Sequence, residues 1–207
     1  MTARGATSAL LALVLTLGGC APASAPPAPL PRGGAWLDQM LLSWNERGAA
    51  VPKPPTPSPQ QPENLVRCRP GIRGPLTPAE RAVTAAGWWL FPNSTRALGD
   101  VSVVGASSDW DGMCRPWSYQ AFVFVGERFV GTLSPVLMDA RTDGAWHTAT
   151  IETPVHLSAQ FLRYAREDAL CCPSRVSEVT YRIDLPMSAR ESPVLVPVVV
   201  ETRPLPR

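Results

Sequence analysis

The sequence predicts an α+β fold in which a mainly antiparallel β-sheet carries one packed helix and follows a proline-rich stalk. Three observations lead to this prediction. Eleven of the 24 prolines fall between residues 22 and 62, one well-capped helix start follows, and apolar residues then alternate with period two from residue 88 onward. Because no βαβ alternation or internal repeat is visible, one helix covering one sheet face is the simplest arrangement.

The composition limits the classes of function. The chain has 207 residues, of which 45% are hydrophobic and 17% are charged, enough for one domain with a real core. Its 19 basic and 17 acidic residues give a formal net charge of +2. Nucleic-acid binding needs a concentrated basic face, so we predict no nucleic-acid partner.

Residues 1–19 have the features of a cleaved signal peptide. Arg4 gives the N-terminal region a positive charge, and the apolar run that follows is too short to span a bilayer. The run ends in Leu17-Gly18-Gly19-Cys20, which resembles the lipobox at which bacterial lipoproteins are cleaved and then lipidated on the cysteine. We expect acyl chains, palmitate among them, on Cys20, where each buried methylene contributes about 0.8 kcal/mol to membrane binding. A plain secretory signal is the alternative.

Residues 20–63 are expected to form the stalk. Its two proline-rich stretches, Ala21–Gly34 and Val51–Pro62, favour extended spacers that hold a domain away from the membrane. Between them, Ala35–Gly48 has apolar residues at helical spacing and predicts a short amphipathic helix. That helix docks on its own domain, on another protein or on the lipid surface, and we favour its own domain.

The folded domain is expected over residues 64–207 and to begin with a helix. Thr77 is placed as the N-cap, Pro78 as the first helical residue, and Glu80 as the partner that closes a capping box. A small apolar strip follows and ends at Gly87, which suits close packing against a sheet.

Seven strands are predicted from the alternating pattern. They are Trp88–Phe91, Val101–Ala106, Tyr119–Val125, Arg128–Leu133, Leu157–Tyr164, Val176–Ile183 and Val194–Glu201. The clearest hairpin turns at Gly126, as a two-residue type II′ turn requires. This register pairs Phe124 with Phe129 and sets Gly131 opposite Phe122.

With Cys20 assigned to lipid, four cysteines remain for two disulfides in an exported chain: Cys68, Cys114, Cys171 and Cys172. Adjacent Cα atoms lie about 3.8 Å apart, below the usual disulfide range. We therefore predict that one member of the Cys171-Cys172 pair bonds Cys68 and the other bonds Cys114, with the choice between them open. The alternative is a redox or metal element at the adjacent pair, but no Cys-x-x-Cys spacing supports it.

Few residues suggest catalysis or cofactors. Ser134 and His147, with Asp139 or Asp143, supply the ingredients of a triad, yet no Gly-x-Ser-x-Gly elbow is present. The segment 109–112 has alternating carboxylates like a calcium loop, but Gln120 stands where a bidentate Glu is needed. We predict no metal, no phosphate cradle and no other cofactor.

The segment Asp139–Gly144 is dense in charge and follows a strand. One interpretation is a loop network of Arg141 with neighbouring carboxylates. An exposed turn is preferred.

The hairpin Ala121–Pro135 resembles that of LppP/LprE-type bacterial lipoproteins. Further segments that fit are Trp44–Gly48, Ala86–Trp88, Asp111–Pro116, Arg141–Gly144 and Ala169–Ser174, so that the resemblance spans about residues 36–200. It implies an exported lipoprotein of no established reaction, and no catalytic residues can be carried over. The adjacent cysteines and the long stalk depart from simpler members.

We therefore expect a cell-envelope lipoprotein anchored to the membrane through lipid on Cys20 and facing the periplasm or the exterior. Its expected role is a non-catalytic binding or structural module, not an enzyme, with an envelope protein or a small ligand as partner. The alternative is an envelope hydrolase of esters or glycans that uses Ser134 or an acidic pair.

Overall fold

The computed structural model describes residues 33–188 and 191–206. The expected signal peptide, Cys20 and most of the first proline-rich stretch lie outside the described residues. These residues form two α-helices, α1 (Gln61–Cys68) and α2 (Pro78–Ala85), together with 3₁₀ helices at Gly33–Asp38 and Arg69–Gly71.

Eight strands form two antiparallel sheets of four strands each, in the orders β1-β2-β3-β4 and β5-β6-β7-β8. Their bounds are β1 Trp89–Leu98, β2 Val101–Trp110, β3 Pro116–Val125, β4 Arg128–Thr132, β5 Ala145–Thr153, β6 His156–Arg163, β7 Arg175–Asp184 and β8 Val194–Pro204. The predicted mainly antiparallel α+β class is confirmed, although the strands divide into two sheets. All seven predicted strands are present, and β5 was missed because only Ala145 and Ala149 of its residues are buried.

The first sheet is covered on both faces. Val101 and Val103 of β2 face a core that both sheets share, whereas Val104 and Ala106 of the same strand face α2. The period-two alternation thus separates the two faces of one strand. Helix α2 has the predicted capping box: Thr77 Oγ1 accepts from the Glu80 amide, and the Glu80 carboxylate accepts from the Thr77 amide.

The predicted hairpin has one irregularity in register. Phe124 lies opposite Phe129 as expected, but Gly131 lies opposite Val123, so its predicted pairing with Phe122 is wrong. The shift has a local cause: Gly131 has φ +149°, and the side-chain amide of Asn45 occupies the space that a Cβ would fill. Only glycine lets the Asn45 amide reach the strand here.

The segment predicted to be an amphipathic helix packs on its own domain, but helical structure ends at Asp38. Trp36 and Leu37 are buried in the shared core, at 4% and 2% exposure. Beyond Asp38 the segment up to residue 48 has no helix, and Trp44 Nε1 donates to the Thr132 carbonyl at 3.0 Å. The helix prediction for residues 39–48 is therefore wrong, because the side chains of Trp44 and Asn45 bond instead to the backbone of Thr132 in β4.

The second proline-rich stretch also lies against the domain, whereas residues 51–62 were predicted to form an extended spacer. Trp88 Nε1 donates to the Pro52 carbonyl at 2.7 Å, and the hydroxyl of Ser58 donates to the Asp109 carboxylate. The side chain of Asn64 continues this contact by donating to the Trp110 carbonyl. The residues that pack together begin at Gly33, whereas the domain was expected to begin at residue 64.

Candidate functional site

A cleft of about 280 Å³ opens where the first sheet meets the second. Strands β1 and β3 supply one wall and strand β5 the other, while the loop before β5 closes one side. Antiparallel strands that end at the same edge bring together residues from segments far apart in sequence. The cleft is lined by Phe91, Asn93, Ser94, Arg96, Arg115, Pro116, Tyr119, Ala140, Arg141, Ala145, Trp146, His147, Thr148 and Leu162.

Aromatic side chains link the two walls of the cleft. The rings of Phe91 and Tyr119 are almost perpendicular, with centroids 6.1 Å apart. The Tyr119 hydroxyl donates to the Trp146 carbonyl at 3.1 Å and thereby joins β3 to β5. Burial raises the pKa of Tyr119, so its hydroxyl stays a neutral donor. Among the described residues, the buried Nε1 of Trp146 has no hydrogen-bond partner.

Two of the three arginines that line the cleft are held in place by other protein groups. Arg96 Nη1 donates to the carbonyls of Asn93 at 2.9 Å and Thr95 at 3.0 Å. Arg115 Nε donates to an Asp111 carboxylate oxygen at 2.6 Å, and its Nη2 lies 2.5 Å from the same oxygen. Burial alone would raise the pKa of Asp111, but hydrogen bonds from Arg115 and the Met113 amide lower it. The ion pair therefore persists in neutral solution and fixes the Arg115 guanidinium.

The third arginine has no such partner. In the described parts of the chain, Arg141 forms no ion pair and donates no hydrogen bond that meets ordinary geometry. Its backbone lies in the left-handed region with φ +62°, as does that of Asn93 with φ +56°. Non-glycine residues adopt this region at an energetic cost that the surrounding structure must offset. Among the residues that the structure describes, the cleft thus contains one guanidinium without a partner and two fixed ones.

The charge-dense loop before β5 forms an ion-pair network, but with a different arginine from the one considered in the sequence. Arg163, 3% exposed, donates from Nε to Asp143 at 2.9 Å and from Nη2 to Asp38 at 2.6 Å. Burial opposes the charge of Arg163, yet the bonds to Asp38 and Asp143 outweigh it and raise the pKa of the guanidinium. Arg141 itself is exposed, in agreement with the preferred exposed turn.

The residues considered for a catalytic triad do not come together. Ser134 is fully buried, and its hydroxyl donates to the Val136 carbonyl at 2.8 Å and accepts from the Val136 amide at 3.1 Å. His147 is exposed and lines the cleft. Asp139 accepts from the Ser118 amide at 2.7 Å, and burial raises its pKa. Asp143 pairs with Arg163, so Ser134 has neither expected partner.

The calcium-like segment is also explained by local hydrogen bonds. Asp109 is buried and accepts from Ser58 and the Trp110 amide, while Asp111 accepts from the amides of Met113 and Arg115. Over residues 33–188 and 191–206, no cluster of three or more His, Cys, Asp or Glu side chains has an arrangement that could hold a metal ion.

The cysteine pairing differs from the prediction. Cys68 bonds Cys114 with Cα atoms 5.2 Å apart, and Cys171 bonds its neighbour Cys172 with Cα atoms 3.8 Å apart. The two predicted bridges from the adjacent pair are therefore wrong. The reason is topological: Cys68 and Cys114 meet beside the end of β2, whereas the adjacent pair lies in the β6–β7 loop of the other sheet.

Comparison with known families gives a match across the middle of the chain. Residues 96–185 match the family model of the LppP/LprE lipoproteins. The resemblance read from the hairpin is confirmed over these residues. Comparison with curated proteins and with solved structures gave no match. The LppP/LprE segment includes β2 to β7 and eleven of the fourteen residues that line the cleft.

The LppP/LprE family is a lipoprotein family, and lipoproteins are held at membranes by their lipid. None of the helices formed by the described residues combines the length and apolar character needed to cross a bilayer.

Sequence reasoning identified His147 and Arg141 but missed Arg96 and Arg115. Arg96 lies in β1 and Arg115 directly precedes β3, and the two belong to no spacing motif. Only the pairing of β1 with β2 and of β2 with β3 brings both to the lining of one cleft. The signal for this site lies in sheet topology.

Proposed function

We propose that this LppP/LprE-type chain is an exported lipoprotein whose folded part binds a small anionic ligand in the cleft between the sheets. Removal of residues 1–19 leaves Cys20 for lipidation, which holds the protein in the cell envelope, facing the periplasm or the exterior. The lipobox-like Leu17-Gly18-Gly19-Cys20 and the match to a lipoprotein family support this placement. The role proposed is binding and not catalysis.

The observation that carries the ligand class is the charge of the cleft. Its described lining includes three arginines and no acidic side chain. Guanidinium groups bind carboxylate and phosphate through paired, charge-assisted hydrogen bonds, and Arg96 and Arg115 are already oriented. Arg141, free of carboxylate partners among the described residues, supplies unpaired donors to an incoming anion.

The aromatic walls add a second requirement for the ligand. Phe91, Tyr119 and Trp146 present apolar surface beside the arginines, and small-molecule sites combine such surface with a few polar groups. At about 280 Å³ the cleft lies near the lower end of the usual size range of ligand sites. The best fit is a compact organic anion that has a ring or a short apolar group.

A larger depression of about 570 Å³ lies beside α2 and β1 but fits this role less well. Its lining holds two arginines, Arg69 and Arg73, against three in the cleft. All of its lining residues precede residue 96, outside the segment that matches the family.

The hydrolase alternative requires a reactive Ser134 or an acidic pair. The Ser134 hydroxyl is buried and bonded to the backbone of Val136, and Asp143 is bound to Arg163. No observation favours a hydrolytic role for these residues, so we propose none.

The test uses the mature chain with Cys20→Ser, which removes the lipid site. Phenyl phosphate, benzoate and inorganic phosphate are titrated against the protein by calorimetry, with benzyl alcohol as the neutral probe. We expect phenyl phosphate and benzoate to bind, binding to weaken with added salt, and benzyl alcohol not to bind.

Matched variants locate the site. Arg141→Gln is expected to weaken phenyl phosphate binding about tenfold or more, since a charge-assisted hydrogen bond is lost. Arg128→Gln, an exposed arginine in β4 that is absent from the cleft lining, is the control and is expected to leave binding unchanged. Equal losses in both variants, or absence of binding to every anion, would contradict the proposal.

A further inference from the structure

The loop that joins β6 to β7 carries two adjacent cysteines as a disulfide. Cys171 and Cys172 are both exposed, and their Cα atoms are 3.8 Å apart. Exposure decides whether a thiol reagent can reach a disulfide, because exchange requires direct attack on one sulfur atom. Both ends of this bond meet that condition.

The other disulfide has a different environment. Cys114 is exposed but Cys68 is only 2% exposed, and the bond between them joins α1 to the β2–β3 turn across 46 residues of sequence. A bond that closes a long loop restricts the unfolded chain strongly, whereas a bond between neighbours closes no loop and restricts it little. Cys68–Cys114 is therefore a structural link, and the fold depends far less on Cys171–Cys172.

The loop has supports that do not involve sulfur. One Asp168 carboxylate oxygen accepts from the Ala165 amide at 2.7 Å, the Ser174 amide at 2.9 Å and the Ser174 hydroxyl at 2.7 Å. These bonds tie the two ends of the loop together around Asp168. The loop ends are thus held in place whether or not the sulfur atoms are bonded.

An open depression gives access to one of the two sulfurs. It measures about 500 Å³ and is lined by Cys172, Pro173, Arg175 and Leu205 among other residues, but not by Cys171. A reagent or a partner that enters this depression meets Cys172 first.

From this geometry we propose that Cys171–Cys172 is a reversible thiol–disulfide exchange site that reacts with a dithiol reductant. A thiolate of the dithiol attacks Cys172 Sγ and forms a mixed disulfide, while the bond to Cys171 breaks and Cys171 leaves as a thiolate that takes up a proton. The second thiol of the reductant then attacks the reductant's other sulfur, which is bonded to Cys172 in the mixed disulfide. Cys172 is thereby released as a thiol. Two electrons and two protons pass to the pair, and the dithiol becomes a disulfide.

This proposal is independent of the anion cleft and is tested on the mature chain with Cys20→Ser. The protein is equilibrated with increasing dithiothreitol, free thiols are trapped with N-ethylmaleimide, and peptides are identified by mass spectrometry. We expect Cys171 and Cys172 to become alkylated at a dithiothreitol concentration at least tenfold lower than Cys68 and Cys114, with the near-ultraviolet circular dichroism unchanged. Simultaneous reduction of both disulfides, or earlier reduction of Cys68–Cys114, would overturn the proposal, as would native peptides that link Cys171 or Cys172 to Cys68 or Cys114.

Two single variants test which of the two sulfur atoms exchanges more readily with a reagent. Cys171→Ser leaves Cys172 as a thiol in the depression, and Cys172→Ser leaves Cys171 outside it. With glutathione disulfide as the probe, Cys171→Ser is expected to form the mixed disulfide several-fold faster. Equal rates, or a faster reaction in Cys172→Ser, would contradict attack at Cys172.

Discussion

Asp38 and Arg163, 125 residues apart in sequence, form a two-pronged ion pair. Arg163 Nη2 donates to Asp38 Oδ2 at 2.6 Å and Nη1 donates to Oδ1 at 3.1 Å. The pair joins the end of the first 3₁₀ helix to the last residue of β6. It therefore secures the N-terminal segment on the second sheet at the point where Trp36 and Leu37 enter the core.

The two acidic partners of Arg163 are expected to differ in their effect on stability. Asp143 also accepts from the Tyr164 amide, and its side chain is 33% exposed against 61% for Asp38. Asp143→Asn is expected to lower the free energy of unfolding by about 2–3 kcal/mol, since it leaves a buried guanidinium short of charge. Asp38→Asn is expected to cost about 1 kcal/mol or less because solvent screens the exposed partner. Urea unfolding followed by tryptophan fluorescence measures both, and a larger loss in Asp38→Asn would contradict this ranking.

Trp36 makes the N-terminal segment part of the core. Its ring meets Trp44 and Phe161 edge to face, with centroids 5.3 and 5.1 Å apart. Trp36→Ala is expected to lower the free energy of unfolding by about 3–5 kcal/mol, the range for deletion of a large buried aromatic side chain. Met40, four residues later and 85% exposed, is the matched control, and Met40→Ala is expected to change little. Thermal unfolding of the two variants distinguishes this packed segment from a free stalk, for which both would be neutral.

Because Asn45 lies against Gly131, the stability of the fold is expected to be sensitive to a single methyl group added at residue 131. Asn45 Nδ2 donates to the carbonyls of Thr132 and Leu195, each at 3.1 Å, and Oδ1 accepts from the Thr132 amide at 2.8 Å. Since Thr132 lies in β4 and Leu195 in β8, this one side chain bridges the two sheets. A Cβ on residue 131 would overlap the Asn45 amide and break the bridge.

Gly131→Ala is therefore expected to destabilise the fold by about 2–4 kcal/mol, through the overlap and the loss of partners for buried backbone groups. Gly74→Ala is the control, because nothing lies within 4 Å of a Cβ at that position. Chemical denaturation compares the two. The double variant Gly131→Ala with Asn45→Ala is expected to recover part of the loss, and no recovery would show that the side-chain overlap is not the cause.

Two local signals in the sequence predicted local structure correctly. The Thr77–Glu80 capping box and the Phe124–Phe129 pair require only residues a few positions apart, and both are present. The residues before the domain were misjudged because proline content reports backbone stiffness and not where a stiff segment lies. Pro52 and Pro54 contact Trp88 and Gly87, which no local pattern could reveal.

The pairing of the cysteines and the composition of the cleft depend on long-range topology. Geometry alone disfavoured a bond between neighbours, yet the β6–β7 loop lies in a different sheet from the Cys68–Cys114 link and leaves Cys171 no other partner among the described residues. In the same way, Arg96 and Arg115 come to line one cleft only through two strand pairings. Such contacts are a property of the folded chain.

The carboxyl group of Glu80 is expected to make the free energy of unfolding depend on pH. Burial alone would raise the pKa of this carboxyl, but hydrogen bonds from Arg73, Thr95 and the amides of Leu76 and Thr77 lower it from 4.5 to about 2. A lowered pKa in the folded state means that the stabilisation, on the order of 3 kcal/mol, is complete above about pH 4.5 and disappears as the pH falls toward 2.

Glu80→Gln is expected to remove most of this stabilisation at pH 7 and to reduce the dependence of the free energy of unfolding on pH between 5 and 2. Glu63, exposed in the first turn of α1, is the matched position, and Glu63→Gln is expected to leave the pH profile of urea unfolding unchanged. Parallel profiles for the wild-type chain and Glu80→Gln would show that the ion pair with Arg73 does not control acid unfolding.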